Sequence, residues 1–552
     1  MIHRRESLMR RLFAALLLTT LLAGQALAKD ELVIGITQFP ATFNPAIESM
    51  LAKTYVLAFA QRPITAYDAS WQLICLECET LPTLENGGAK VEGKGIAVTY
   101  TLKAGAKWGD GQPVTSDDVV FSWSVGRHPQ SGVASAELFR RITRIDVKDA
   151  RTFTLHIDRL TFDYNAVNDL RLLPAHLERS RFEAAPAEYR NKTAYDQDTT
   201  NPGLYNGPYR VTAVVQGSHV VLEPNAYWPG PKPAFKRIVI KAIENTASLE
   251  ANLLSGGVDM IAGELGLPLD QSLAFEKRHG DRFTVVTKPS LTYEHLDLNL
   301  GSPILADVQV RRALLLALDR DTMTRQLFDG RQPVAHSMVP PLDWVHADDI
   351  AQYPYDPVQA AALLDAAGWK TGAGGIRANA KGDKLALELV TTAGNRSREL
   401  VAQVLQAQWR KLGIDLRVKT EPPRVLFGET VTKRKFAHMT MFAWYSAPEN
   451  VPHSTLHSDA IPSAANNWSG QNYTGYVNPA MDRLIGSIET ELNRPKRKVL
   501  WRELQALYAA DLPALPLYFK ADAFILPKEL KGLEPTGHQD PSPYWVESWR
   551  WE

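Results

Sequence analysis

Short segments with alternating apolar and polar residues dominate the first part of the chain. Residues 97–102 and 152–157 both alternate with a period of two, which is the pattern of a half-buried antiparallel strand. Between them, Thr115 or Ser116 can cap a helix that begins at once. Four further segments have the pattern of strands: residues 31–37, 209–214, 218–223 and 238–241.

The later part of the chain alternates helices and strands. A strand at residues 385–391, a helix at 398–412 and a strand at 414–418 follow one another, and this order predicts a parallel crossover unit. We therefore expect a mixed α/β fold. Further helices are predicted at residues 246–254, 310–319 and 357–367, and further strands at 258–261 and 515–519.

Length and charge narrow the class of protein. A chain of 552 residues predicts two or three domains, and 45% hydrophobic residues are enough for several cores. The 61 basic residues balance the 61 acidic ones, so the formal net charge is zero. This balance argues against a nucleic-acid-coating protein.

The N-terminus has the pattern of a secretory signal peptide. Four arginines precede the apolar run at residues 12–24, and Ala26-Leu27-Ala28 supplies the small residues of a cleavage site. The apolar run is too short for a membrane anchor, which needs about 20 residues. We expect residues 1–28 to be removed after Ala28 and the mature protein to be soluble in the periplasm.

The only two cysteines, Cys75 and Cys78, are three residues apart. In an oxidising compartment, two thiols this close favour a small-loop disulfide. The alternative is a redox-active pair, which needs its first cysteine at a helix N-terminus. Residues 71–74 have the pattern of a strand, so the sequence favours the disulfide.

Other motifs give no support for catalysis. Residues 88–94 match a phosphate-binding loop, but Gly95 stands where a Ser or Thr would bind magnesium. His453 and His457 have the spacing of two metal ligands on a helix, yet Pro448 and Pro452 favour a solvated loop. We expect no enzyme activity, no cofactor and no metal site. The rival class is a secreted hydrolase, suggested only by many aromatic and carboxylate side chains.

Seven motifs in order resemble the solute-binding protein family 5 of ABC importers, the dipeptide- and oligopeptide-binding group. The most specific is the stretch from Tyr100 to Trp123, which contains Trp-Gly-Asp-Gly-Gln-Pro-Val-Thr-Ser-Asp-Asp-Val. The resemblance covers essentially the whole mature chain. The others are Phe43-Asn44-Pro45, Asn206-Gly-Pro-Tyr209 with Asn225-Ala-Tyr-Trp228, Ser255-Gly-Gly-Val-Asp-Met260, residues 310–320, residues 355–369 and Leu512-Pro-Ala-Leu-Pro-Leu517.

This resemblance implies a type II, cluster C-like clamp of two lobes, with an extra domain inserted in the first lobe. The ligand would lie between the lobes, where pockets concentrate. The expected boundaries are residues 29–60, 202–288 and 512–552 for the first lobe, 61–201 for the insertion and 289–511 for the second lobe.

The resemblance also implies a receptor that passes a small solute, such as a short peptide, to an inner-membrane permease with its ATPase subunits. We expect a monomer. Relatives in the family also take opines, oligosaccharides, haem or nickel complexes, so a non-peptide ligand stays open.

Two segments supply the main candidates for ligand contacts. Trp444 and Tyr445 follow a strand-like run, and the corresponding segment of the family crosses the cleft. Arg396 and Arg398 follow a strand at its C-terminal end, where α/β folds bind ligands, and could pair a ligand carboxylate. Weaker candidates from the first lobe are Phe43 and Asn44.

One position departs from the family. Its peptide binders carry an Asp after the Trp, which pairs the α-ammonium of the peptide; here Ser446 or Ala447 stands at that place. Glu449, next to Asn450, is the nearest carboxylate. Either Glu449 replaces the Asp, or the ligand presents no free ammonium there. The second hypothesis is slightly favoured, because Pro448 and Pro452 stiffen the loop.

Overall fold

The computed structural model describes residues 29–47, 50–133, 136–422, 425–466 and 470–552. The predicted signal peptide, residues 1–28, lies outside the described residues. No helix in the described ranges is both long and apolar enough to cross a membrane.

Strands form one large sheet and several small ones within these ranges. The strands are β1 Glu31–Ile36, β2 Thr65–Tyr67, β3 Leu73–Cys75, β4 Ala89–Glu92, β5 Gly95–Thr101, β6 Ile142–Val147, β7 Thr152–Ile157, β8 Tyr209–Val215, β9 His219–Pro224, β10 Arg237–Ala242, β11 Met260–Ile261, β12 Phe283–Leu298, β13 Lys370–Thr371, β14 Arg377–Ala378, β15 Ala386–Thr392, β16 Asp415–Glu421, β17 Met439–Tyr445, β18 Ala514–Pro527, β19 Leu530–Lys531 and β20 Arg550–Trp551. The large sheet has ten strands in the order β16-β15-β17-β12-β18-β11-β1-β10-β9-β8, and a second sheet has the order β4-β5-β7-β6.

Helices pack on these sheets, and most begin at a capping side chain. Asn395 caps the helix Arg396–Lys411 and Asp319 caps the helix Arg320–Phe328, each by accepting a backbone N–H of the first turn. The α-helices are α1 Leu51–Ala60, α2 Ser116–Arg127, α3 Glu137–Arg141, α4 Ala175–Ala184, α5 Ala194–Gln197, α6 Thr246–Leu254, α7 Leu269–His279, α8 Val308–Leu316, α9 Arg320–Phe328, α10 Pro357–Ala366, α11 Arg396–Lys411, α12 His453–Leu456, α13 Pro479–Thr490 and α14 Arg494–Asp511.

The predicted parallel crossover unit is present as β15, α11 and β16. Leu389 lies opposite Val418 in parallel register. The apolar face of α11 buries Val401, Leu405 and Trp409 against the sheet. The alternation of apolar strand and amphipathic helix was therefore a reliable signal here.

β18, with 14 residues, is much longer than the strand predicted at 515–519, and β12, with 16 residues, was not predicted. They pair antiparallel over most of their length, with a register shift between Pro289 and Tyr293. The first half of β18 packs in one core with β15 and α8, although residues 512–552 were expected in the first lobe. Its second half, with Phe524, joins the core that contains β1 and α1.

The segment that carried the resemblance is structural. Trp108 is fully buried beneath β5, and its backbone closes a tight turn with Gln112. Gly111 adopts a φ of 91° in this turn, a conformation that other residues rarely take. Asp118 and Thr115 form the capping box at the start of α2. The structure also joins Cys75 and Cys78 in a disulfide.

Candidate functional site

A cavity of about 370 Å³ lies at the carboxyl end of β17. Its walls come from β12, from the loop that contains Met338 and Asp343, from the segment after β17, and from Trp501 of α14. Cavities of this size, with aromatic walls and a few polar groups, are typical of sites for small ligands. We name it the main cavity.

A second cavity of about 280 Å³ lies beside the main cavity. It is bounded on one side by the inserted segment, with Tyr67, Arg141 and Arg159, and on the other by the loop after β17. The two cavities have three lining residues in common: Ala447, Asn450 and Ser454. Together they form one cleft, with Tyr67, Arg141 and Arg159 on one side and the loop after β17 on the other.

Trp444 and Tyr445, two of the candidates for ligand contacts, line the main cavity. The Trp444 ring stacks on Tyr473, with 5.8 Å between ring centroids, which fixes its plane. The Tyr445 hydroxyl donates a 2.6 Å hydrogen bond to the carbonyl of His538. Burial raises the pKa of Tyr445, so its hydroxyl stays a neutral donor.

Ser446 and Asn450 also line the main cavity. The backbone N–H of Ser446 donates to the carbonyl of Leu291 at 3.2 Å, which anchors the loop to β12 at its start. Beyond Met441, β17 continues to Tyr445 with no strand paired to it on the β15 side within the described part of the chain. This leaves a short open strand edge at the cavity.

Glu449 lies in the same loop, but its carboxylate already has partners. Arg497 donates to both of its oxygens, and Trp344 Nε1 donates to Oε2 at 3.0 Å. The backbone N–H of Glu449 donates to the Asp343 carboxylate at 2.8 Å. Its φ of 52° holds the turn in the left-handed region. The charge of Glu449 is thus balanced within the protein.

The two arginine candidates lie elsewhere. Arg398 is buried, with Nε 2.6 Å from the carboxylate of Glu294, and Arg396 is an exposed side chain beside Glu399. Neither is among the residues that line the two cavities.

Both candidates from the first lobe are also outside the two cavities. Phe43 is buried in the hydrophobic core around α1, and Asn44 is fully buried. Its side-chain oxygen accepts the backbone N–H of Ala46 at 2.9 Å, which is the geometry of a local turn.

Several lining residues were not found from the sequence. Asp343 is the one charged group among the residues that line the main cavity, and burial raises the pKa of its carboxyl. Met338, Tyr293 and Trp501 complete its walls. They come from three distant segments without a shared motif.

The segment around His453 differs from the loop that its prolines suggested. Pro452 occupies the N-cap of α12, a single helical turn that contains His453. A proline is tolerated there because its missing N–H falls before the first intrahelical hydrogen bond. Because His457 follows this turn four residues after His453, the two imidazole rings stack, with 4.4 Å between their centroids.

The comparisons with known proteins agree with this architecture. A sequence model of bacterial extracellular solute-binding proteins, family 5 (middle), matches residues 63–463. The chain is 24% identical to the oligopeptide-binding protein AppA of Bacillus subtilis, over 96% of this chain and 92% of the relative. It is also 24% identical to a nickel-binding periplasmic protein of Escherichia coli, over 93% of each chain.

The solved structures show the same fold. The oligopeptide-binding protein of Thermus thermophilus, complexed with a pentapeptide, superposes with a TM-score of 0.79 at 27% identity, covering 95% of this chain and 96% of that one. NikZ of Campylobacter jejuni, in complex with Ni(L-His), has a TM-score of 0.79 at 22% identity, covering 95% of this chain and 99% of that one. The chain belongs to the family 5 bacterial extracellular solute-binding proteins, the receptors of ABC importers that capture a small solute between two lobes.

Proposed function

We propose that the solute is a short peptide, which lies extended in the cleft beside β17. The observation that carries this proposal is the open edge of β17 at the main cavity, next to Trp444 and Tyr445. A peptide added there as a further strand would satisfy the free backbone groups of both partners. The oligopeptide-binding relatives support the same class of ligand.

The partners of Glu449 bear on which peptides bind. Because Arg497 and Trp344 hold its carboxylate, moving it to a ligand ammonium would leave the buried Arg497 guanidinium unpaired. We therefore favour a peptide that presents no free α-ammonium at this loop. Ser446 and Asn450 would offer neutral polar contacts instead.

The test begins with protein purified from cells without refolding. Mass spectrometry of the released solute should identify a peptide, and tryptophan fluorescence should follow its rebinding unchanged. Release of a nickel–histidine complex, an opine or an oligosaccharide would refute the peptide proposal, and a cleaved product would favour a hydrolase.

A pair of tryptophan variants tests whether the peptide binds in the cleft or elsewhere on the surface. Trp444→Ala should weaken binding of the released peptide by about fivefold or more, because an aromatic wall is worth about 1 kcal/mol or more. Trp228→Ala, outside both cavities, is the matched control and should bind as the wild type does. Equal affinities of the two variants would place the ligand elsewhere.

The remaining proposals concern location and assembly. We propose that the receptor is a periplasmic monomer, cleaved after Ala28, and that it catalyses no reaction and docks on a permease with ATPase subunits. N-terminal sequencing of periplasmic extract should begin at Lys29, and light scattering should give the mass of one chain. We further propose that the two lobes meet within β12 and β18, near the predicted boundary at residue 289.

A further inference from the structure

We propose that His453, His457 and Asp459 form a binding site for one divalent transition-metal ion at the rim of the second cavity. One ligand atom from each residue lies within 4.8 Å of the other two. Imidazole nitrogens with a carboxylate oxygen are a donor set that suits Zn²⁺ or Ni²⁺. The site is distinct from the main cavity, which these three residues do not line.

The helical turn places the two imidazoles side by side. His453 begins α12 and His457 follows it, so a spacing of four residues brings both rings to one side. The ring planes are 6° from parallel. Because stacked rings direct their in-plane lone pairs along parallel planes, one ring must turn about its χ angles before both rings can bind one ion.

Asp459 closes the set of ligands. Its Oδ1 lies 2.7 Å from His457 Nδ1 and 3.2 Å from His453 Nε2. A tetrahedral ion with bonds of about 2.1 Å separates its ligands by about 3.4 Å, so side-chain rotations that widen these two contacts would admit it. The ion would replace a 3.2 Å contact between the backbone N–H of Asp459 and His457 Nδ1.

Glu489 of α13 provides the supporting contact that metal-binding histidines need. Its Oε1 lies 2.9 Å from His453 Nδ1, which fixes the tautomer that leaves Nε2 free for an ion. The backbone carbonyl of Glu489 accepts the N–H of Phe162 from the inserted segment at 2.9 Å. Three protein ligands leave a fourth position for water or a solute group.

The experiment uses tag-free, EDTA-treated full-length protein. Calorimetric titration with Zn²⁺ should show one equivalent, and Co²⁺ should give the visible absorption of a low-coordinate site. His457→Ala and Asp459→Asn should each weaken Zn²⁺ binding by at least about tenfold, and Glu489→Gln by about tenfold, the effect expected of a supporting partner. Added Zn²⁺ should raise the melting temperature of the wild type and of neither His457→Ala nor Asp459→Asn.

His156 offers a matched control. It lies between Glu92 and Asp146, at 2.7 and 3.0 Å, without a neighbouring histidine, so His156→Ala should bind Zn²⁺ as the wild type does. A wild type that binds no Zn²⁺, or a His457→Ala variant that binds as well as the wild type, would overturn the proposal. Peptide titration without metal is a separate measurement, and His457→Ala should leave it unchanged.

Discussion

Glu294 lies on β12 with its carboxylate buried between two cations. Arg398 Nε and Lys520 Nζ lie 2.6 and 2.7 Å from its two oxygens. Burial alone would raise the pKa of Glu294, but the charges of Arg398 and Lys520 outweigh it and lower the pKa to about 2. This group joins β12, β18 and α11 in the core of the second lobe.

The pKa of Glu294 predicts how stability changes in acid. Because the folded pKa of about 2 lies below the ordinary 4.5, the contribution is complete above pH 4.5 and is lost as the pH falls towards 2. Urea unfolding at pH 7 and at pH 3.5 should show a lower free energy of unfolding at pH 3.5. In Glu294→Gln, this pH dependence should be smaller.

Glu294→Gln should also destabilise the protein at pH 7 by about 3–5 kcal/mol, because two cations lose their buried partner. Glu276→Gln, which removes a half-exposed partner of Arg331, is the control and should cost about 0–1 kcal/mol. Similar losses in the two variants would contradict the assignment.

Glu449 allows a second prediction at the residue scale. Because the Glu449 carboxylate forms an ion pair with Arg497, Glu449→Gln should lower the melting temperature but leave peptide affinity within about twofold. N-acetylated and free peptides of one sequence should bind the wild type alike. A strong preference for the free amine that disappears in Glu449→Gln would show that Glu449 replaces the Asp of the family.

At the scale of elements, α2 depends on its capping box. The Asp118 carboxylate is buried and accepts the backbone N–H groups of Thr115 and Ala175, each at 2.8 Å. It therefore joins the start of α2 to the start of α4. The two aspartates in the first turn of α2 differ in role, because Asp118 is buried and links the two helices whereas Asp117 is exposed.

Asp118→Ala should cost more stability than a cap alone, about 2–3 kcal/mol, because two buried donors lose their acceptor. Thr115→Ala should cost about 1 kcal/mol, the usual value of a helix cap. Asp117→Ala is the control, with an expected cost of about 0–1 kcal/mol. Urea denaturation measures all three, and equal costs for Asp117→Ala and Asp118→Ala would contradict this account.

At the scale of the whole molecule, a few hydrogen bonds cross between the second lobe and the rest. The Tyr445 hydroxyl bonds to the carbonyl of His538, and Phe162 N–H bonds to the carbonyl of Glu489. β12 and β18 connect the two sides, and their pairing has a register shift between Pro289 and Tyr293.

Tyr445→Phe should shift the ligand-free protein towards a more open form, because one of these crossing hydrogen bonds is lost. Small-angle X-ray scattering should give a larger radius of gyration than for the wild type, and saturating solute should reverse the change. Tyr353→Phe removes a 2.8 Å bond to the carbonyl of Ala509 within the second lobe and should change neither form. An unchanged radius of gyration in Tyr445→Phe would show that the hydrogen bond to His538 does not hold the ligand-free protein closed.

Sequence patterns located elements where one face is buried along a regular period. The predicted strand at 152–157 and helix at 246–254 coincide with β7 and α6. The helices α13 and α14 were not predicted, although Asn478 and Asn493 cap them and α13 buries Met481, Ile485 and Ile488 along one face. The sequence placed Trp444 and Tyr445 at the end of a strand, but it did not identify the residues that form the opposite walls of the main cavity.

The sequence by itself determined the α/β class, the βαβ unit and the family, because hydrophobic period, caps and turn motifs are local properties of the chain. Tertiary structure alone decided which charges were already paired. Arg398 has the same local signal as a ligand-binding arginine, yet its guanidinium is paired with the carboxylate of Glu294, 104 positions away. Glu449 is similarly held by Arg497, 48 positions away. The partner of a charge is set by which segments the fold brings together, and no local pattern encodes that proximity.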